Sequence, residues 1–290
     1  MQFQGIPQRP KNPLAGYMRQ PKIYIRLPSN GKYWPEGSID IPENREFPVY
    51  SMTAKDELLF KTPDALMNGQ AIVDVIKSCM PNILDPWHCP MMDLDMILIA
   101  MRLATYGDKM PFKHVQPGTN EEQEYEIDLR LLLDQLTNNT WVEQVAINPD
   151  FIIYVRPLTY RHMTQTGIKT FETQRILSIV NDESIAEAEK IKLFSESFNS
   201  LTKVTIDLVA ETIFQIQTPE GLVTDLHWIK EFINNADKDI FKTVQDHLNE
   251  LKSHNDIKPL TFQSTPEQIA LGAPETYEVP VNFNNSDFFA

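Results

Sequence analysis

Cysteine is scarce in this sequence: Cys79 and Cys89 are the only two in 290 residues. A small secreted domain held by disulfides normally carries more. Glycine is scarce as well. Ten glycines leave little room for a Gly-rich phosphate loop, and none is spelled out. There is no paired-histidine zinc motif at helical spacing and no Gly-x-Ser-x-Gly elbow. Long apolar runs are missing. The longest, Met96 to Leu103, is interrupted by Arg102 and is too short to span a bilayer. No apolar run follows Met1, so no signal peptide is visible, and a soluble chain made in a cytoplasm is expected. Basic charge is also short. The formal net charge is −14, and the Lys and Arg residues are scattered without a stripe interleaved with aromatics. Such a surface repels phosphate backbones, so neither nucleic acid nor membrane is expected as a partner.

What is present is enough apolar material for a real core, 42% of the residues, with a charged fraction too low for a disordered chain. Residues 1–21 hold Pro7, Pro10, Pro13 and Pro21 and cannot be a helix. They read either as an extended arm or as a disordered tail. Phe3, Ile6, Leu14 and Tyr17 favour an arm that touches something, since a solvating tail has no need of them. From Lys22 to Leu27 the sequence alternates as a strand. Pro28-Ser29-Asn30-Gly31 is a turn, and Ile39, Ile41, Phe47, Val49 and Tyr50 suggest one or two more strands. Helices follow. Thr53 and Asp56 have capping-box spacing before Leu58, and Thr62-Pro63 is an N-cap with proline at the first helical position. Ala71, Ile72, Val75 and Ile76 form an apolar face that stops at Met80-Pro81. Asp93 or Asp95 opens a helix that ends at Gly107.

Phe112 to Val115 and Tyr125 to Leu129 predict a β-hairpin, followed by a helix from Leu129 to Leu136. Phe151 to Val155 is a short strand, and most of residues 158–253 reads as helix. Ile191, Phe194, Phe198, Leu201, Val204 and Leu208 step by three and four, as in a coiled-coil seam or a long amphipathic helix packed on its own bundle. Leu260 to Gln263 with Tyr277 to Phe283 predicts a second hairpin.

Candidate chemistry is thin. Cys89 beside His88 has the residue types of a nucleophile and its base, but adjacent residues in a Pro-flanked loop seldom reach that geometry, and a buried structural cysteine is the preferred reading. Asp93 and Asp95 are two apart and face different sides of a helix, so capping is preferred over metal binding. Glu121, Glu122, Glu124 and Glu126 suit a solvated hairpin tip. Each hairpin places a Tyr-Glu pair on its second strand, as Tyr125-Glu126 and Tyr277-Glu278. Where a zinc ribbon would carry Cys-x-x-Cys, the loops hold Val115-Gln116-Pro117-Gly118 and Gln263-Ser264-Thr265-Pro266.

Taken in order, several segments resemble the T-even-type phage baseplate hub proteins and their relatives, the hub assembly chaperones. They are Ile25-Arg26-Leu27-Pro28-Ser29 with Gly31, Tyr50 to Glu57, Thr62 to Leu66 with Asn68-Gly69, and Ser78-Cys79 with Pro81. The series continues with Asp93 to Asp95, Ile99 to Gly107, Tyr125 to Leu129 and Phe288-Phe289. The resemblance covers most of residues 22–136 and the C-terminal end, and finds no motif in 140–255. Many relatives carry the Cys-x-x-Cys pairs that this chain lacks, so no metal is carried over.

The expectations are these. The fold is α+β and mostly helical, with a small N-terminal β unit and two hairpins like zinc ribbons without ligands. The divisions are an arm over 1–21, a β unit with helices and first hairpin over 22–140, a helical region over 141–255, and a second hairpin with tail over 256–290. The resemblance implies a structural baseplate hub component acting by protein–protein contact. The alternatives are a hub assembly chaperone absent from the mature virion and, more weakly, a tail-associated hydrolase. No enzyme activity, metal or cofactor is expected. Partners would be other baseplate or tail proteins, the tape measure and a second copy, met in the host cytoplasm during assembly and, for a structural part, in the virion baseplate. Residues expected to bind partners or anchor the fold are Phe3, Ile6, Leu14, Tyr17, Arg26, Ser29, Gly31, Phe288 and Phe289.

Overall fold

The structure is a computed structural model and describes residues 13–61, 68–119, 121–180 and 187–281. The expected helix at Thr62-Pro63 and the ends carrying Phe3, Ile6, Phe288 and Phe289 lie outside the described residues. Helix outweighs strand, and all sheets are antiparallel, so the mixed α+β class holds.

Strands β1 (Pro21–Ile25) and β2 (Phe47–Tyr50) pair, with Ile25 opposite Phe47. Helix α1 (Ala54–Phe60) starts at the expected capping box, in which Thr53 and Asp56 satisfy each other's backbone N–H. Helices α2 (Gln70–Cys79) and α3 (Met91–Tyr106) complete the first core. Helix α3 is apolar almost all round, with Met96 to Met101 buried without a break, which suits a helix enclosed on every side. It ends at Gly107 with φ +96°. Strands β3 (Lys109–Val115) and β4 (Glu122–Asp128) form the predicted hairpin, and α4 (Leu129–Thr137) turns Leu129, Leu132 and Leu136 into the same core.

The region expected to be mostly helical also contains a sheet. Strands β5 (Gln144–Asn148), β6 (Phe151–Val155), β7 (Ile213–Thr218) and β8 (Gly221–Val223) lie in that order, and only β6 was predicted. Between β6 and β7 the chain makes a helical hairpin of α5 (Tyr160–Val180) and α6 (Glu187–Thr212). Helices α7 (Leu226–Asn235) and α8 (Lys238–Asn255) cover the sheet. A second core results, built on Ile153, Val155, Ala210, Ile213, Ile229 and Val244.

Strands β9 (Leu260–Gln263) and β10 (Thr276–Val279) form the second hairpin, with a short α9 (Pro266–Ala270) in its loop. It packs on the first hairpin, although some 150 residues separate them in sequence. Phe112, Tyr125, Phe262 and Tyr277 form one aromatic cluster, and the two tyrosine hydroxyls are 2.8 Å apart.

Candidate interaction surfaces

The turn at residues 28–31 is a structural anchor. Asn30 and Gly31 both have positive φ, +52° and +82°, and Lys32 N donates to Ser29 O to close the turn. A Cβ on Gly31 would lie 2.4 Å from Ile41 Cδ1. Ser29 is buried and donates from both its backbone N and its hydroxyl to the Asp93 carboxylate, which also accepts from Trp34 Nε1 at 2.8 Å. Asp93 therefore does not cap α3, as the sequence suggested; the cap position is Pro90, and the carboxylate is spent on the turn. Burial pushes Asp93 up to about 6, against the pull of those three donors. Arg26, on the exposed strand end, pairs with Glu46 at 3.0 Å in solvent, an arrangement worth little by itself.

Arg19 escaped the sequence reading. Its guanidinium donates to Ser51 O, Ser78 O and Ser78 Oγ, and lies 3.6 Å from the buried Asp56 carboxylate. Ser78 Oγ donates in turn to Asp56 at 2.8 Å. These contacts cross 32 to 59 residues, so no local pattern in a proline-rich segment could show them. The start of the described chain is thus tied down at Arg19, while Leu14 (64% exposed) and Tyr17 (88%) stay outside.

The hairpin loops meet where a ribbon would hold its metal. Gln116 is fully buried and donates through Nε2 to Ser264 Oγ at 3.3 Å, and that hydroxyl donates to Pro274 O at 2.6 Å. Gly118 approaches Gly272 so closely that a Cβ would lie 2.3 Å from its carbonyl oxygen. Packing and hydrogen bonds join the hairpins here. Among the described residues, no three His, Cys, Asp or Glu side chains gather as a metal-binding set.

Both cysteines are buried. Burial, reinforced by Asp56, pushes the Cys79 thiol up to about 12. Cys89 is also raised, by burial and the nearby Asp93, and its Sγ donates to Pro90 O. Neither environment favours the thiolate that a nucleophile requires. His88 Nδ1 pairs with Asp85.

The helical hairpin shows an inverted distribution of side chains. Where α5 and α6 pack, Thr173 and Ser197 are buried, and Ser197 Oγ has no hydrogen-bond partner there. Large apolar residues point outward: Ile191 is 65% exposed, Phe194 56% and Phe198 62% on α6, and Phe171 is 53% exposed on α5. The predicted three-and-four stripe exists, but its first half is uncovered instead of packed in a bundle. Only its second half, Leu201, Val204 and Leu208, is partly buried.

A sequence model of the T4 bacteriophage base plate protein family matches residues 20–268. The chain belongs to that family, and the match includes the stretch 140–255. No curated protein and no solved structure matched the chain. Membership makes other phage tail and baseplate proteins its partners and the tail baseplate its setting. Among the described residues no helix is long and apolar enough to cross a membrane.

Proposed function

We propose that this chain is a structural component of the baseplate hub of a contractile-tailed phage, working by protein–protein contact during tail assembly and not by catalysis. The family membership supplies the particle. The uncovered stripe Ile191, Phe194 and Phe198 supplies the observation that carries the contact reading. Burying such side chains is worth roughly 1.5–3 kcal/mol each, and a row of them left in water on a helix with small polar residues inside marks a surface that another chain covers. The tape measure and a second copy of this chain are the partners proposed first, because a helical stripe is suited to another helix.

The test is Phe194→Asp combined with Phe198→Asp, followed by mass spectrometry of purified tails. The isolated variant should melt as the parent does, since both side chains are already solvated, and it should be missing from the tails. Normal incorporation of the variant would overturn the reading. If the unmodified chain is absent from mature particles while tails fail to form without it, the assembly-chaperone role replaces the structural one.

A further inference from the structure

Between the two cores lies a cavity of about 360 Å³. Its walls are apolar, contributed by Met91 and Met92 of α3, Trp141, Leu158, Leu208 of α6 and Leu248 of α8. Its polar lining gathers where α8 ends, at Asn255 and Asp256, with Asp95 facing them from α3. These groups present acceptors. Asn255 spends its amide hydrogens on Thr140 O and Leu251 O, and its buried Oδ1 is left without a partner. No hydrogen bond or ion pair from any described residue reaches the Asp95 carboxylate. Burial and the Asp256 charge push it up to about 6, and among the described residues no cation pairs with it. Thr212, also on the lining, has committed its hydroxyl hydrogen to Val209 O. Lys252 lines the mouth with an exposed side chain.

We infer that this cavity is a binding site for an amphipathic cation, an apolar stem ending in an ammonium group that pairs with Asp95 and, at the rim, with the exposed Asp256. An ammonium has a positive charge, three donors and no acceptor, which suits a cavity with one carboxylate on its wall and another at its rim. The apolar walls and the cavity size suit a single short stem. An anion would meet two carboxylates, and a neutral stem would leave Asp95 without compensation. Because the walls come from both cores, the occupant would also fasten one core to the other.

The probe is phenylbutylamine, titrated calorimetrically into the whole chain near neutral pH. One molecule per chain should bind. Phenylbutanol should bind about tenfold more weakly or worse, and phenylbutanoate should not bind. Asp95→Asn, nearly isosteric, should weaken the amine by about tenfold or more, a loss of about 1.4 kcal/mol. Leu208→Trp, which fills the cavity, should abolish binding in a chain whose circular dichroism is unchanged. No saturable binding to the parent chain, equal binding of amine and acid, or indifference to Asp95→Asn would overturn the site. If Leu208→Trp fails to fold, Asp95→Asn decides alone. The source of the cation is read separately: loss of Leu208→Trp from purified tails assigns it to a partner's lysine side chain, and normal incorporation assigns it to a free amine.

Discussion

Enclosing a carboxylate costs free energy that only donors can offset, and Asp93 receives three of them, two from Ser29 and one from Trp34. The offset is incomplete, since its folded-state value is raised to about 6 from an unfolded value near 4. A carboxylate with a raised value favours the fold while protonated. That contribution is fully present below about pH 4 and is lost as the pH climbs from there through about 6, by up to about 3 kcal/mol. Urea unfolding across this range should therefore show the parent chain losing stability relative to Asp93→Asn as the pH rises. A constant difference between the two would contradict the account. At Gly31 the expectation is steric. With φ at +82° and Ile41 in the path of any Cβ, Gly31→Val should cost about 1–3 kcal/mol. An unchanged melting curve would mean that the turn bears no load.

At the level of elements, the paired hairpins make the sharpest expectation. Tyr125 and Tyr277 share one hydroxyl–hydroxyl hydrogen bond inside an aromatic cluster. Tyr277→Phe should cost about 1 kcal/mol because it leaves the other hydroxyl buried without its partner. Adding Tyr125→Phe should cost little more, as both polar groups are then gone. Additive losses in the double-mutant cycle would show the hydroxyls to be independent. Both hairpins were legible because alternation survives in Tyr125 and Ile127 and in Tyr277 and Val279. The α1 start was legible because a capping box is local. Strand β7 was not. The register shift between Tyr154 and Val155 places its buried residues, Ile213 and Ile216, three apart, which imitates a helix directly after a real one. Of the residues singled out as contacts, Ser29 bonds Asp93, 64 residues away, and Gly31 lies where any Cβ would strike Ile41, relations that no local pattern encodes. The outward Phe194 and Phe198 had been seen as a stripe, but a sequence does not say whether a stripe is covered.

Across the whole molecule, Tyr160 joins the two cores. It opens α5, which leads into the second core, yet its ring is buried in the first and stacks on Trp87 at 5.5 Å. Its backbone N donates to Cys89 O, and Met91 N donates to Leu158 O beside it. Tyr160→Ala should cost about 3 kcal/mol and uncouple the halves, so that calorimetry resolves two transitions where the parent chain gives one. A single transition at an unchanged midpoint would show that the cores are joined elsewhere, through contacts such as the Lys32–Glu143 ion pair.

The pairing of Tyr125 with Tyr277 also sets an order of events during translation. The first hairpin leaves the ribosome with its aromatic face bare, and its cover, residues 260–279, follows some 150 residues later. At a synthesis rate of about 5–20 residues per second, that face waits roughly 8–30 s. Val281 enters the first core later still. A chain cut short after α8 would keep both helices of the outward hairpin but present Phe112 and Tyr125 to solvent, so a truncated copy would be sticky at two places instead of one.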